Sequence, residues 1–150
     1  IKDYDNEHEK KGVVIVRGTS STSSVVQILD QLKKENINVK IVAAISWELY
    51  KNQSNEYRER IIGNSEWADS MIITNSALKL MHNWTSNKIV ENYSMSPDFD
   101  NKWRTGGSVD EIIAESKLDG VSIMKGIKKF ANERSARLDL IKKHLPLARV

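Results

Sequence analysis

The sequence predicts an α/β fold, with a largely parallel sheet held between two layers of helices. Three observations carry this. Val13-Val14-Ile15-Val16 is apolar and β-branched throughout, the pattern of a strand buried on both faces. A helical apolar period and then a second apolar run, Val39 to Ile45, follow it, giving the strand, turn, helix, strand order of a right-handed βαβ unit. The alternation continues along the chain instead of separating into blocks of strands and blocks of helices.

The first strand ends at Arg17-Gly18, and the hydroxyl-rich Thr19 to Ser24 reads as a turn. Val25, Val26, Ile28, Leu29 and Leu32 recur at helical spacing and predict an amphipathic helix stopped by Asn36. Ser46 caps a short helix after the second strand, and Asn55 caps another over Glu56 to Ile62, closed by Gly63-Asn64. Ser70 to Thr74 reads as a third strand. Ala77 to Trp84 reads as a helix with Leu78, Met81 and Trp84 inward, and Lys88 to Tyr93 as a fourth strand. After a loop with Gly106-Gly107, Ser108-Val109-Asp110-Glu111 is a capping box, opening a helix with Val109, Ile112 and Ile113 on one face. Ser122 caps a final helix carrying Ile123, Ile127, Phe130 and Ala131, then Leu138, Ile141 and Leu145, which Pro146 ends. The domain is placed at residues 12–132, with 1–11 as a charged linker or arm and 133–150 as a C-terminal helical extension.

A chain of 150 residues matches one ordinary domain, burying roughly 68–70% of its unfolded surface without staples. The absence of cysteine excludes a disulfide framework and Cys-ligated metal sites. No apolar run approaches the ~20 residues of a membrane helix, and the polar first residues show no signal peptide. Expected, then, are a cytoplasmic location and no membrane partner. Beginning at Ile1, the sequence reads as a piece of a longer polypeptide. Its 23 basic and 20 acidic residues are mixed along the chain, which argues against a nucleic-acid partner. The late basic residues Lys125, Lys128, Lys129, Arg134, Arg137, Lys142 and Lys143 read as a solvated helix face.

No catalytic set emerges. His8, His82 and His144 have no partner at metal-ligand spacing, and no serine sits in a nucleophile elbow. Gly18, Thr19, Ser20 and Ser21 lie between a strand and a helix, where free backbone N–H groups could hold a small anion, with Arg17 and Arg104 as helpers. The spacing is neither a P-loop nor a dinucleotide fingerprint. Trp47 and Trp103 leave strand or loop ends and are candidates for contact with another domain.

These residues resemble the C-terminal domain of transketolase. In that family a strand enters a Thr-Gly-Ser-Glu-type turn, as Val13–Val16 enters Gly18-Thr19-Ser20 here. The next strand runs into Ser-Trp-Glu-Leu-Phe, then Gln, then Tyr-Arg-Glu. The counterparts are Ser46-Trp47-Glu48-Leu49-Tyr50, Gln53 and Tyr57-Arg58-Glu59. Ser76-Ala77-Leu78 with His82 is a looser match. Thr74 stands where the family has an acidic residue, and Asn101-Lys102-Trp103-Arg104 where it has Asp-Arg-Phe-Gly.

The resemblance implies a three-layer α/β/α sandwich with a five-stranded, mostly parallel mixed sheet. It implies a parent enzyme that transfers a two-carbon ketol unit between sugar phosphates, using thiamine diphosphate and a divalent cation, Mg. Catalytic, cofactor and metal residues are expected in the parent's other domains, and none in this fragment. Those domains, and a second copy in a homodimer, are the implied partners. The role implied here is architectural, with regulation by a ligand at the strand ends as an addition. The alternative is a free-standing module that binds a small anionic ligand at the Gly18–Ser24 turn.

Overall fold

The computed structural model describes residues 1–104 and 106–144. Three parallel strands form the sheet: β1 (Val13–Arg17), β2 (Lys40–Ala43) and β3 (Ser70–Thr74), in the order β2-β1-β3. In register, Ile15 faces Val42 on one side and Ile72 on the other. Val13 to Val16 are at most 1% exposed, because β1 is central and covered on both faces.

Side chains divide by the two-residue period of a strand. Val14, Val16, Ile41, Met71 and Ile73 pack under α1 (Thr19–Gln27), α2 (Leu29–Lys34) and α8 (Gly120–Asn132). Val13, Ile15, Val42 and Ile72 pack on the opposite face with Ile62, Met81, Trp84 and Val90. That second layer holds α3 (Trp47–Lys51), α4 (Asn55–Ile61), α5 (Asn64–Ala68), a 3₁₀ helix over Leu78–Trp84, and α6 (Lys88–Tyr93). Two further helices follow the loop, α7 (Val109–Glu115) and, after α8, α9 (Arg134–His144).

Among the described residues the sheet has three strands where five were expected. Its flanks are reduced to single bridges, antiparallel between Lys2 and Ile41 and parallel between Met95 and Ile73. On the Met95 side, Met95 N–H donates to Ile72 and Thr74 N–H to Met95. The next donor in a parallel ladder would be residue 97, which is proline and has no N–H. Lys88 to Tyr93, expected as the fourth strand, is helix α6. Asn87 caps it, its side chain accepting from the N–H groups of Ile89 and Val90.

Other boundaries move for local reasons. Thr19 to Ser24 is not a turn but the start of α1. Gly18, at φ +95°, makes the whole corner, so the small Ser21, Ser24 and Val25 can pack at helical spacing. Ile28 interrupts the helix, and Val26 is left 49% exposed. Asn36 ends α2 with a positive φ. Ser54, not Asn55, caps α4 through Tyr57 N–H, and Asp119, not Ser122, caps α8 through Ser122 N–H. Ala77–Trp84 is the tighter 3₁₀ form, whose three-residue period stacks Leu78, Met81 and Trp84. Val109 faces solvent instead of joining Ile112 and Ile113. The last helix breaks at Glu133, and Leu138 and Ile141 in α9 are half-buried. Leu145 and Pro146 lie outside the described residues.

Two segments are tied back to the sheet. Asn38 holds the lead-in, its Nδ2 donating to the carbonyls of Asp5 and His8 at 2.9 and 2.8 Å. Arg137, expected on a solvated face, is fully buried. It donates to Asp69 at 2.8 Å and to the carbonyls of Phe130 and Lys11, stacking on the Phe130 ring.

Candidate functional site

With the order β2-β1-β3, the chain leaves β1 toward one side and returns to the other, so a crevice forms between the carboxyl ends of β1 and β3. Ligands favour this switch point in open α/β sheets. Here a cleft of about 530 Å³ is lined by Arg17, Gly18, Thr19, Thr22, Asn75 and Ser76, among others. No side chain caps the N-terminus of α1 above it. Asn75 crosses the crevice, its Nδ2 donating to Ser20 Oγ at 3.2 Å. A Cβ on Gly18 would overlap the Asn75 carboxamide.

The structure thus gathers part of the expected anion set and disperses the rest. Gly18 and Thr19 line the cleft with Arg17. Ser20 turns toward a neighbouring hollow that also contains Asp110 and Asp119. Ser21 is fully buried, and its hydroxyl has no hydrogen-bond partner among the described residues. Arg104 belongs to the loop after Met95, bonded to the Asp100 carboxylate and to the carbonyls of Pro97 and Glu115. Thr74 is buried and accepts the N–H of Ser76. His82 is exposed.

Beside the crevice lies an aromatic group. Ser46 accepts the N–H of Leu49 and sets the first turn of α3, which carries Trp47 and Tyr50. Trp84 is buried at the centre, with ring centroids 5.3 Å from both Trp47 and Tyr50 and 5.9 Å from Trp67. Burial pushes the Tyr50 hydroxyl above its ordinary pKa. Nearby, hydrogen bonds from its own N–H and from Ser54 hold the Glu56 carboxyl below its ordinary value. Trp67 belongs to α5, an element the sequence reading lacks. Its signal is Glu66 three residues after Gly63, whose N–H donates to that carboxylate at 2.8 Å.

The two tryptophans expected at domain contacts differ. Trp47 is half-buried in the aromatic group, whereas Trp103 is 88% exposed. Trp103 has company at the strand ends: Ile45 is 84% exposed, and Leu49, Leu80 and Phe99 are also exposed. All follow carboxyl ends of strands or the parallel bridge at Met95.

Similarity to known proteins covers part of the chain. The chain is 40% identical over 62 residues to "Transketolase, chloroplastic" of Solanum tuberosum, covering 41% of this chain and 8% of that protein. It is 39% identical over 59 residues to the Zea mays protein of the same name, covering 39% and 9%. "Transketolase 10" of Craterostigma plantagineum is 32% identical over 62 residues, covering 41% and 9%. The matches span less than a tenth of the length of these relatives. The sequence model described as "Transketolase-like TK C-terminal domain" matches residues 3–95, which include all three strands and the Ser46–Glu59 stretch. With that match over more than half of its length and an α/β fold around a parallel sheet, the chain belongs to the transketolase-like C-terminal domain family.

Proposed function

We propose that the chain serves as the C-terminal domain of a transketolase, a parent enzyme that moves a two-carbon ketol unit between sugar phosphates with thiamine diphosphate and Mg. Its own role is architectural. Residues 12–132 are the domain and 133–150 an extension, of which the described helix Arg134–His144 is tied to the domain through Arg137. The observation that carries the reading is the family match over residues 3–95. The exposed Ile45, Leu49, Leu80 and Trp103 support it, since large apolar side chains left open after the strand ends are what a contact with the parent's other domains would cover. A homodimer of the whole enzyme is part of the same reading.

Among the described residues no three His, Asp or Glu side chains converge as a cation site. The crevice presents hydroxyls, an amide and Arg17, a donor set that does not fit a metal bound to diphosphate. We therefore assign cofactor binding to the rest of the parent. No helix among the described residues is long and apolar enough to cross a membrane. The parent is expected in the cytoplasm, although the potato and maize relatives are named as chloroplastic proteins.

The deciding experiment is an immunoblot of fractionated source cells with an antibody to this chain. A polypeptide several times larger than 17.1 kDa, with ketol-transfer activity dependent on thiamine diphosphate, is expected. A native product of that small mass, or saturable thiamine diphosphate binding by residues 1–150 alone, would overturn the reading.

The second reading is a free-standing module that holds a small anion at Gly18 and Thr19. The uncapped start of α1 beside Arg17 favours it. The helix dipole alone contributes about 0.3–1 kcal/mol at an exposed site. A thermal shift with sulfate or sugar phosphates that disappears in Arg17→Ala would support it, and no shift would refute it.

A further inference from the structure

A second hollow, separate from the crevice, opens among α3, α4 and α5. Its volume of about 650 Å³ falls in the ~300–1,000 Å³ range of ligand clefts. Trp47, Tyr50 and Trp67 line it, all half-buried. Trp84 lies behind them in contact with each ring, so the platform is preorganised by packing. Trp84 and Ile62 are buried beneath the hollow, while Trp47, Tyr50 and Trp67 pack against that core and stay part-exposed at its surface.

Around the rings stand Asn55, Glu56, Arg58, Glu59 and Asn64. The rim therefore carries one guanidinium and two carboxylates, and this mixture selects a ligand class. A quaternary ammonium would suit the three aromatic rings and the two carboxylates, but it has neither donor nor acceptor to satisfy Arg58 and the amides. A phosphate would meet Glu56 and Glu59. A neutral polyhydroxylated ring meets neither obstacle. Each hydroxyl both donates and accepts, so one ligand can donate hydrogen bonds to the carboxylates and accept them from Arg58 and the amides. Its apolar C–H face can cover an aromatic ring. Of the five N–H donors of Arg58, its guanidinium commits one to Asn55, and its buried Nε has no partner among the described residues.

We propose that this hollow binds a neutral sugar ring or cyclic polyol, stacked on Trp47, Tyr50 and Trp67 and hydrogen-bonded by Arg58 and Glu56. The two carboxylates of the rim disfavour the phosphorylated sugars of the parent reaction.

The test is a titration of the 150-residue chain followed by the indole N–H signals of its tryptophans in ¹H–¹⁵N NMR spectra. The probes are D-ribose, D-glucose, ribose 5-phosphate and tetramethylammonium chloride. Each is added to roughly 100 mM, because an open site with few hydrogen bonds binds in the millimolar range. Saturable shifts of Trp47 and Trp67 with a neutral sugar are expected, with Trp103 unmoved and the two charged probes weaker. No saturable shift with either sugar, an equal response of Trp103, or tighter binding of a charged probe would overturn the proposal. Trp67→Ala should abolish binding but risks the fold. Glu56 is exposed, so Glu56→Ala leaves the fold intact and should weaken binding about fivefold, the worth of one net hydrogen bond. Unchanged affinity in that variant would also overturn the assignment.

Discussion

The Nε of Arg137 donates to Oδ1 of Asp69 over 2.8 Å, joining residues 68 positions apart. Arg134 donates to the other oxygen, Oδ2, at 2.7 Å. One carboxylate at the entrance of β3 therefore holds both arginines of α9. Asp69→Ala strands a fully buried guanidinium, and removing one partner of such a pair costs about 3–5 kcal/mol. Urea unfolding of that variant should show the loss. Replacing both partners, as in Asp69→Ala with Arg137→Met, should cost clearly less, because no charge is then left unpaired.

Gly18→Ala meets two obstacles at once. The backbone there is at φ +95° and ψ 147°, a region essentially reserved for glycine and worth about 1–3 kcal/mol of strain for other residues. The new Cβ also overlaps the Asn75 carboxamide. The substitution should therefore cost less in an Asn75→Ala background than alone. A double-mutant cycle by thermal unfolding measures the difference.

Asp119 links α8 to pH. Burial pulls its pKa up, but bonds from the Ser122 hydroxyl and N–H outweigh this and hold it below the usual 3.8. A folded-state value below the unfolded one gives stability that is present above the unfolded pKa and lost as pH falls through the folded one. Asp119→Ala should be less stable than the parent chain by about 1 kcal/mol at neutral pH. That gap should close below roughly pH 4, as urea midpoints at several pH values would show.

The tryptophans separate stability from contact. Trp84 is 4% exposed amid three rings, and Trp84→Ala should cost about 3–5 kcal/mol. Trp103 is 88% exposed, so Trp103→Ala should change the stability of the chain by no more than about 0.5 kcal/mol. Its effect should appear only in the intact parent enzyme, as weakened domain association in limited proteolysis.

β1 and β3 were legible because a buried parallel strand has a continuous apolar centre, as in Val13–Val16 and in Met71-Ile72-Ile73 between Ser70 and Thr74. Lys88–Tyr93 was not, because Ile89-Val90 suits either state and the cap that decides, Asn87, lies just outside the run. Arg137 looked like its solvated neighbours, since the carboxylate that admits it to the core lies far away in sequence. At the site, the glycine corner and the strand-end position could be read from local pattern. The aromatic platform could not, because Trp47, Trp67 and Trp84 come from three separate elements.

The single bridges at the flanks have a consequence for association between copies. A short parallel sheet normally presents two open borders whose N–H and C=O groups can recruit a strand from another molecule. Here Lys2 exchanges both backbone bonds with Ile41 on one border. On the other, Met95 takes the Ile72 and Thr74 groups, and Pro97 withholds the next donor. Two residues and a proline thus occupy part of each border of the three described strands and oppose the addition of a strand from another copy.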